Sequence, residues 1–188
     1  MSEADRQKWD QRFTEGKDVR RDPPAWLREL DDELPKTGRA LDVAAGAGRV
    51  AVWLARRGLE VTAVDISPVG LALLRETAAD EDVKVRTVVL DLERDPLPEG
   101  TYDLAACFHY RQRELLPRIV ERLAPGGMVV IELATVRNLE RSSVPSRRWL
   151  AEPNEVLRDA MTSLEVLYYR EGWFGPRHLA RAVARRAQ

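Results

Sequence analysis

Leu41-Asp42-Val43-Ala44-Ala45-Gly46-Ala47-Gly48-Arg49-Val50 is the stretch whose reading decides the fold. An apolar run ends in small residues, a Gly-x-Gly turn follows, and an amphipathic segment begins at once. A strand passes its chain to a helix across a bound nucleotide in this way. Gly46 and Gly48, with alanines at 44, 45 and 47, keep bulky side chains off the backbone. The start of the next helix offers unpaired N–H groups. Asp42 is the unusual member, because a charge inside a buried parallel strand is costly unless it meets a cation or a donor. It points to a ligand carrying an ammonium group.

Outward from this turn, short apolar runs alternate with amphipathic segments, the pattern of an α/β chain with a parallel sheet covered on both faces. Strand one is read at Ala40 to Ala44, then a helix with Val50, Trp53 and Leu54 inward and Gly58 at its end. Strand two is Val61 to Asp65, and Ser67-Pro68 caps and opens a helix bearing Leu71 and Leu74. Strand three is Val83 to Leu90, ending at Asp91-Leu92, and strand four is Leu104 to Phe108. A helix with Leu116, Ile119, Val120 and Leu123 follows, and Pro125-Gly126-Gly127 turns the chain into strand five, Met128 to Leu133.

The ends of the chain differ in style. Residues 1–38 read as a helical arm, with Trp9 and Phe13 four apart on one helix, a break at Pro23-Pro24, and Trp26, Leu27 and Leu30 on a second helix. The arm either packs on the core or forms a lid in which Trp9 and Phe13 touch the substrate. Residues 134–148 are polar, contain Pro145 and several arginines, and read as a flap. A helix near Pro153 to Met161 and two strands, Leu164 to Arg170 and His178 to Arg185, complete the pattern, with Gly172-Trp173-Phe174-Gly175-Pro176 as the hairpin turn.

Length and composition bound the class. A chain of 188 residues suits a single domain, with arm 1–38, core 39–134 and closing segment 135–188. Thirty basic residues against thirty-one acidic ones leave a net charge of −1, so no general basic field attracts nucleic acid or anionic lipid. No apolar leader or membrane-length run is present, and one cysteine makes no internal disulfide, so a cytoplasmic setting is expected. Cys107, in Leu-Ala-Ala-Cys-Phe, reads as core, and no metal constellation is visible.

The Asp-x-Ala-Ala-Gly-x-Gly turn, the acidic end of strand two and the five β/α units closed by a hairpin together resemble the class I S-adenosylmethionine-dependent methyltransferases. The resemblance covers roughly Arg39 to Ala134. The aromatic arm and the closing Arg-Arg-Trp-Leu, helix and hairpin are similar to the tellurite-resistance and thiopurine methyltransferase group. The resemblance implies a Rossmann-like, doubly wound, mostly parallel sheet of seven strands ending in an antiparallel hairpin, with S-adenosyl-L-methionine as cofactor.

Carried onto this chain, it places the loop backbone at Ala44, Gly46 and Gly48 against the methionine half of the cofactor, and Asp42 toward its ammonium group. Asp65 would take the ribose hydroxyls. Ile66 would pack on the adenine, Asp91 would accept from its amino group, and Leu92 would add backbone and apolar contact. Alanines at 44 and 45 depart mildly from the family's Gly and Cys or Ser. Phe108-His109-Tyr110-Arg111 replaces the Asn/Asp-Pro-Pro-Tyr of amino-methylating DNA enzymes, which argues against an adenine or cytosine N-methyltransferase; the expected acceptor is a small molecule, with no nucleic-acid partner.

His109, placed by the resemblance at the acceptor face, is the candidate general base, with Tyr110 and Arg111 as candidate substrate contacts. His178, among alanines in the hairpin, reads as packing. Two other readings stand beside this one. Gly46 to Ala51 also satisfies the loose Gly-x-Gly-x-x-Gly/Ala pattern of NAD(P)-dependent oxidoreductases, with Asp65 near the acidic position, although Asp42 and the hairpin count against it. A non-catalytic cofactor-binding domain would keep the same binding residues.

Overall fold

A computed structural model describes residues 3–17 and 19–188; Met1, Ser2 and Asp18, which the expected arm over 1–38 includes, lie outside the described residues. The apolar runs form a seven-stranded sheet: β1 (Arg39–Val43), β2 (Glu60–Asp65), β3 (Val85–Val89), β4 (Tyr102–Phe108), β5 (Leu123–Ala134), β6 (Leu164–Phe174) and β7 (Arg177–Arg186). Their spatial order is β3-β2-β1-β4-β5-β7-β6. The first five are parallel, and β7 runs antiparallel between β5 and β6. This is the doubly wound, mostly parallel architecture with a closing hairpin that the alternation and the resemblance predict.

Alternate strand residues feed two apolar layers, as the period of two requires. Leu41, Val43, Cys107, Val129 and Ile131 face one layer, together with Leu115, Leu116 and Ile119 of α5 (Leu115–Glu121) and Val156 of α6 (Glu155–Ala160). Ala40, Ala63, Ala106 and Val130 face the other. That layer holds Val50 and Leu54 of α3 (Arg49–Arg56), Leu71 and Leu74 of α4 (Pro68–Asp80), and Trp26 and Leu27 of α2 (Ala25–Glu29).

Local chemistry sets the helix ends. Ser67 Oγ accepts from the Gly70 N–H and Pro68 opens α4. After α3, Gly58 adopts φ +101°, its N–H reaches Ala55 O, and the Leu59 N–H reaches Leu54 O. That pair of bonds closes the helix with a left-handed glycine.

Several boundaries differ from the sequence reading. Pro125-Gly126-Gly127 lies inside β5, which starts at Leu123, so Leu123 belongs to a strand and not to α5. The register shift between Tyr102 and Leu104 absorbs the irregularity. In the hairpin, Gly172, Trp173 and Phe174 pair with Leu179, His178 and Arg177, so the turn contracts to Gly175-Pro176. Trp and Phe suit a pleated surface better than a turn. The flap contains two short 3-10 turns, Val136–Glu140 and Arg147–Trp149, and is tied down where Thr135 bridges Ala151. Among the described residues, no helix is long and apolar enough to cross a membrane.

The strand order reverses between β1 and β4. The chain leaves their carboxyl ends in opposite directions and opens a crevice there, the place where ligands gather in such sheets. The glycine turn and His109 both stand at this crevice.

Gly48 tests how closely the turn is packed. At φ +83°, an added Cβ would lie 2.2 Å from Leu74 Cγ. Gly48→Ala is expected to cost about 1–3 kcal/mol of unfolding free energy, read as a lower denaturant midpoint at unchanged slope.

Candidate active site

The turn after β1 carries three left-handed residues: Ala44 at φ +57°, Gly46 at +55° and Gly48 at +83°. Gly46 and Gly48 adopt this freely, whereas Ala44 is strained by about 1–2 kcal/mol. The strain is held by anchors on both sides. The Ala45 N–H donates to Val64 O at 3.1 Å, and the Gly46 N–H donates to Asp65 Oδ2 at 2.8 Å. Asp65 Oδ1 accepts from the Ser67 N–H at 2.9 Å. Asp65 therefore braces the turn against the start of α4. Burial pushes its carboxyl up, and the N–H donors of Ser67, Gly46 and Ile66 pull it back.

Asp42 behaves differently. It pairs in register with Ala63 and Ala106 on the flanking strands, and its Oδ2 is buried with no hydrogen-bond partner among the described residues. Burial pushes the carboxyl up to about 7, against a backbone hydrogen bond from Ala51 and the Arg49 charge. An acceptor of this kind, beneath a turn free of bulky side chains, fits an ammonium-bearing ligand.

The arm lies across this turn. In α1 (Glu3–Thr14), Trp9 and Phe13 stack at 5.9 Å, and Asp10 Oδ1 accepts from Ser67 Oγ at 2.5 Å. Phe13 sits on the glycines, 3.1 Å from a Cβ built at Gly46 and 2.8 Å from one at Gly70. Beyond it, Ile66, Val89, Asp91 and Arg94 line a cavity of about 260 Å³, with Glu3 and Arg6 of the arm closing one side. Asp91 Oδ1 accepts from the Glu93 N–H at 3.0 Å. Leu92 is fully buried and turned into the core.

On the other side of the crevice, His109 ends β4 at φ +59°, a left-handed conformation rare for a non-glycine residue. Its N–H donates to Glu132 O at 2.7 Å, and its Nε2 lies 3.2 Å from Glu132 Oε1. Glu132 is buried in β5, where its Oε2 accepts from Trp26 Nε1 and Arg181 Nε, both at 2.7 Å. Desolvation lowers the His109 pKa to about 4. Glu132 pulls it up, and Arg49, Arg177 and Arg20 push it further down. The His109 side chain itself is about one-third exposed (31%) where it faces Glu132. The cavity beside it, of about 300 Å³, is lined by Arg20, Arg49, His109, Glu132, Arg177 and Arg181 among others.

The structure thus gathers Asp42, Ala44, Gly46, Gly48 and Asp65 at one turn, places Ile66 and Asp91 at the adjoining cavity, and sets His109 at a second cavity. Tyr110 and Arg111 do not line that second cavity. Tyr110 is buried beside Trp149, with ring centroids 6.0 Å apart. Arg111 is held by Glu155 through two bonds of 2.7 and 2.9 Å and by Arg148 O. A buried carboxylate on α6 recruits this arginine as a clamp for the flap. His178 is buried and bonded through Nδ1 to Thr135 Oγ1 at 2.7 Å. The flap arginines are engaged away from the cavity: Arg137 with Glu140, Arg147 with Glu152, Arg148 with Glu93, and Arg141 over the Trp173 ring. Among the described residues, no three His, Cys, Asp or Glu side chains are placed to share a metal ion.

The sequence reading gave no site role to Glu132, Trp26, Arg49 or Arg181. For Glu132 a signal existed, because it is a lone charge in Val129-Val130-Ile131-Glu132-Leu133, the same anomaly that singles out Asp42. Arg181, its cross-strand partner, is visible only through the register of β5 and β7.

Residues 40–127 match the family described as "Methyltransferase domain". Among curated proteins, the chain is 32% identical over 117 residues to a ubiquinone biosynthesis O-methyltransferase of Marinobacter nauticus, covering 57% of this chain and 49% of that one. It is 27% identical over 152 residues to a ribosomal protein L11 methyltransferase of Bordetella parapertussis, covering 79% and 43%. It is 29% identical over 147 residues to a ribosomal RNA small subunit methyltransferase C of Alcanivorax borkumensis, covering 73% and 42%. The chain spans less than half the length of these relatives. Among solved structures, TehB from Haemophilus influenzae superposes with a TM-score of 0.74 at 20% identity, covering 95% of this chain and 67% of that one. The N-methyltransferase NodS from Bradyrhizobium japonicum gives 0.66 at 15%, covering 87% and 97%. At these identities the structural likeness establishes the fold.

Asp42 yields a pH signature. Its folded pKa of about 7 exceeds the ordinary 3.8, so ionisation progressively costs stability between those values, and the cost is complete above pH 7. The stability of Asp42→Asn relative to the unsubstituted protein is expected to rise by up to about 4 kcal/mol from pH 4 to pH 8 in denaturant titrations. A difference that stays flat over this range would contradict the burial argument.

Proposed function

We propose that this chain is a class I S-adenosylmethionine-dependent methyltransferase that methylates a small molecule held in the cavity beside His109, a reading supported by the matched 40–127 segment and the fold. The observation that carries the reading is the Asp42 carboxylate, buried with one oxygen unpartnered beneath a glycine turn at the point where the strand order reverses.

When bound, S-adenosyl-L-methionine supplies an electrophilic methyl whose carbon–sulfur bond breaks with the electron pair staying on sulfur. The chain's own residues bind and align. Asp42 accepts from the ammonium group and gains the partner that it lacks. Asp65 keeps its brace on Gly46 and Ser67 and offers its remaining lone pairs to the ribose hydroxyls. Ile66 packs on the adenine, Asp91 accepts from its amino group, and the backbone at Ala44, Gly46 and Gly48 flanks the methionine half. Because Phe13 lies on Gly46, the arm acts as a lid that moves to admit the cofactor and then excludes water.

His109 takes the proton from the acceptor's nucleophilic atom. Glu132, facing Nε2, favours the tautomer with its hydrogen there and leaves Nδ1 basic. Alignment of this kind can contribute about 7–11 kcal/mol to catalysis, so the base has a modest share.

The relatives' names include ribosomal RNA and ribosomal protein methyltransferases. A cavity of about 300 Å³ and a net charge of −1 favour a small acceptor for this chain. Two observations bear on the NAD(P) alternative: the methyltransferase match, and an unpartnered Asp42 that suits an ammonium group better than a pyrophosphate.

Calorimetric titration with S-adenosylhomocysteine tests the cofactor reading, with one-to-one binding expected and no response to NADH. Since Asp65 also braces the turn, its ribose role is isolated with the 2′-deoxy analogue. The unsubstituted protein is expected to prefer the hydroxylated ligand by about 10- to 100-fold, and Asp65→Ala to lose that preference. An unchanged preference would remove Asp65 from the ribose. For His109, once an acceptor with an ionisable hydroxyl or amine is found, His109→Gln is expected to lower kcat about 10²- to 10⁴-fold and flatten the acid limb of the pH profile. Full turnover at every pH would exclude the base.

A further inference from the structure

We infer that the cavity beside His109 is an anion site, and that the methyl acceptor carries a carboxylate or phosphate group held by Arg20, Arg49 and Arg177. The word acceptor rests on the methyltransferase reading above; the anion site does not.

Four arginines and one carboxylate, Glu132, line the cavity. Glu132 is already satisfied by Arg181 Nε and the Trp26 N–H on one oxygen and faces His109 on the other. Arg181 is likewise settled, paired to Glu132 and packed over the Phe174 ring at 3.7 Å. Among the described residues, no carboxylate lies within ion-pairing distance of Arg20, Arg49 or Arg177. These three come from separate parts of the chain: the arm, the first residue of α3 and the tip of β7. Only the closure of the sheet and the docking of the arm bring them to one opening.

Arg49 is the informative one. It is half-buried, and desolvation lowers its affinity for its proton despite the nearby Glu132 and Asp42 charges. A guanidinium partly removed from water with no bonded partner is costly, and a planar or tetrahedral oxyanion is the group that best relieves that cost. The positive field of these arginines also lowers the pKa of a hydroxyl or thiol on the same acceptor. Pro24, Phe174 and Leu179 supply an apolar wall for a small hydrocarbon body. At about 300 Å³ the space suits a compact acid at the lower end of small-molecule sites.

The test is calorimetry on protein saturated with S-adenosylhomocysteine, at constant ionic strength, with sodium benzoate and inorganic phosphate as separate probes. At least one probe is expected to bind stoichiometrically, and Arg49→Gln and Arg177→Gln to weaken it at least 10-fold. Arg28→Gln on α2, outside the cavity lining, should leave it within 2-fold. Benzoate alone would assign an organic carboxylate, and phosphate alone a tetrahedral anion. Arg177→Gln should keep S-adenosylhomocysteine affinity within 2-fold.

Two results overturn the inference. One is that neither probe binds. The other is that the arginine variants lose S-adenosylhomocysteine while retaining the probe, which assigns the arginines to the cofactor's own carboxylate. If S-adenosylhomocysteine itself fails to bind but the probes bind the free protein in an arginine-dependent way, the methyltransferase reading falls and the anion site stands.

Discussion

The carboxylate of Asp65 joins more of this molecule than any contact near it. One oxygen holds the Gly46 N–H and the other holds the Ser67 N–H, so the end of β2 fixes both the glycine turn after β1 and the start of α4. Ser67 in turn caps α4 through Gly70 and donates to Asp10, which carries the arm onto the same spot. A turn with a strained alanine at its head stays in one conformation because neighbours on two sides determine it. Without that brace, neither the backbone surface offered to a cofactor nor the seat of Phe13 would be defined.

Three carboxylates are buried at the carboxyl end of the sheet, and each is treated differently. Asp65 is satisfied by backbone N–H groups, and Glu132 by an arginine, a tryptophan and a histidine. Asp42 keeps a buried oxygen without a partner among the described residues. A folded protein tolerates such a group at a cost of a few kcal/mol, and the burial-raised pKa is the visible form of that cost. In the proposed function the cost is relieved by the ligand, so stability of the free protein and affinity for the cofactor are set against each other at one residue.

The two sides of the crevice divide the work. The β1–β2–β3 side is built from backbone donors and short acids. The β4–β5–β7 side is built from long side chains, Arg20, Arg49, Arg177 and Arg181, converging from distant segments around His109 and Glu132. A fold shared with proteins acting on very different acceptors leaves the choice of acceptor to such segments. The flap arginines, by contrast, are absorbed in ion pairs with Glu140, Glu152 and Glu93 and in a stack on Trp173, and Arg111, paired with Glu155 of α6, holds the flap through the Arg148 carbonyl.

The sequence by itself determined the α/β class, the glycine turn, the acid at the end of β2 and the oddity of Asp42, because each depends on residues within one strand–turn–helix unit. Local spacing and the cost of a charge in an apolar strand suffice for those. The same cost marks Glu132 in its apolar run, but nothing local says what satisfies it. That was decided by the register pairing it with Arg181, by the arm delivering Trp26, and by the end of β4 turning His109 back toward it. The hairpin turn shrank and β5 lengthened for a similar reason, since pairing with a neighbouring strand outweighs the turn preference of glycine and proline. Tyr110 and Arg111 were adjacent to His109 in sequence and yet went to the core and to Glu155. Consecutive residues at the end of a strand face different surroundings, and only the packed structure says which.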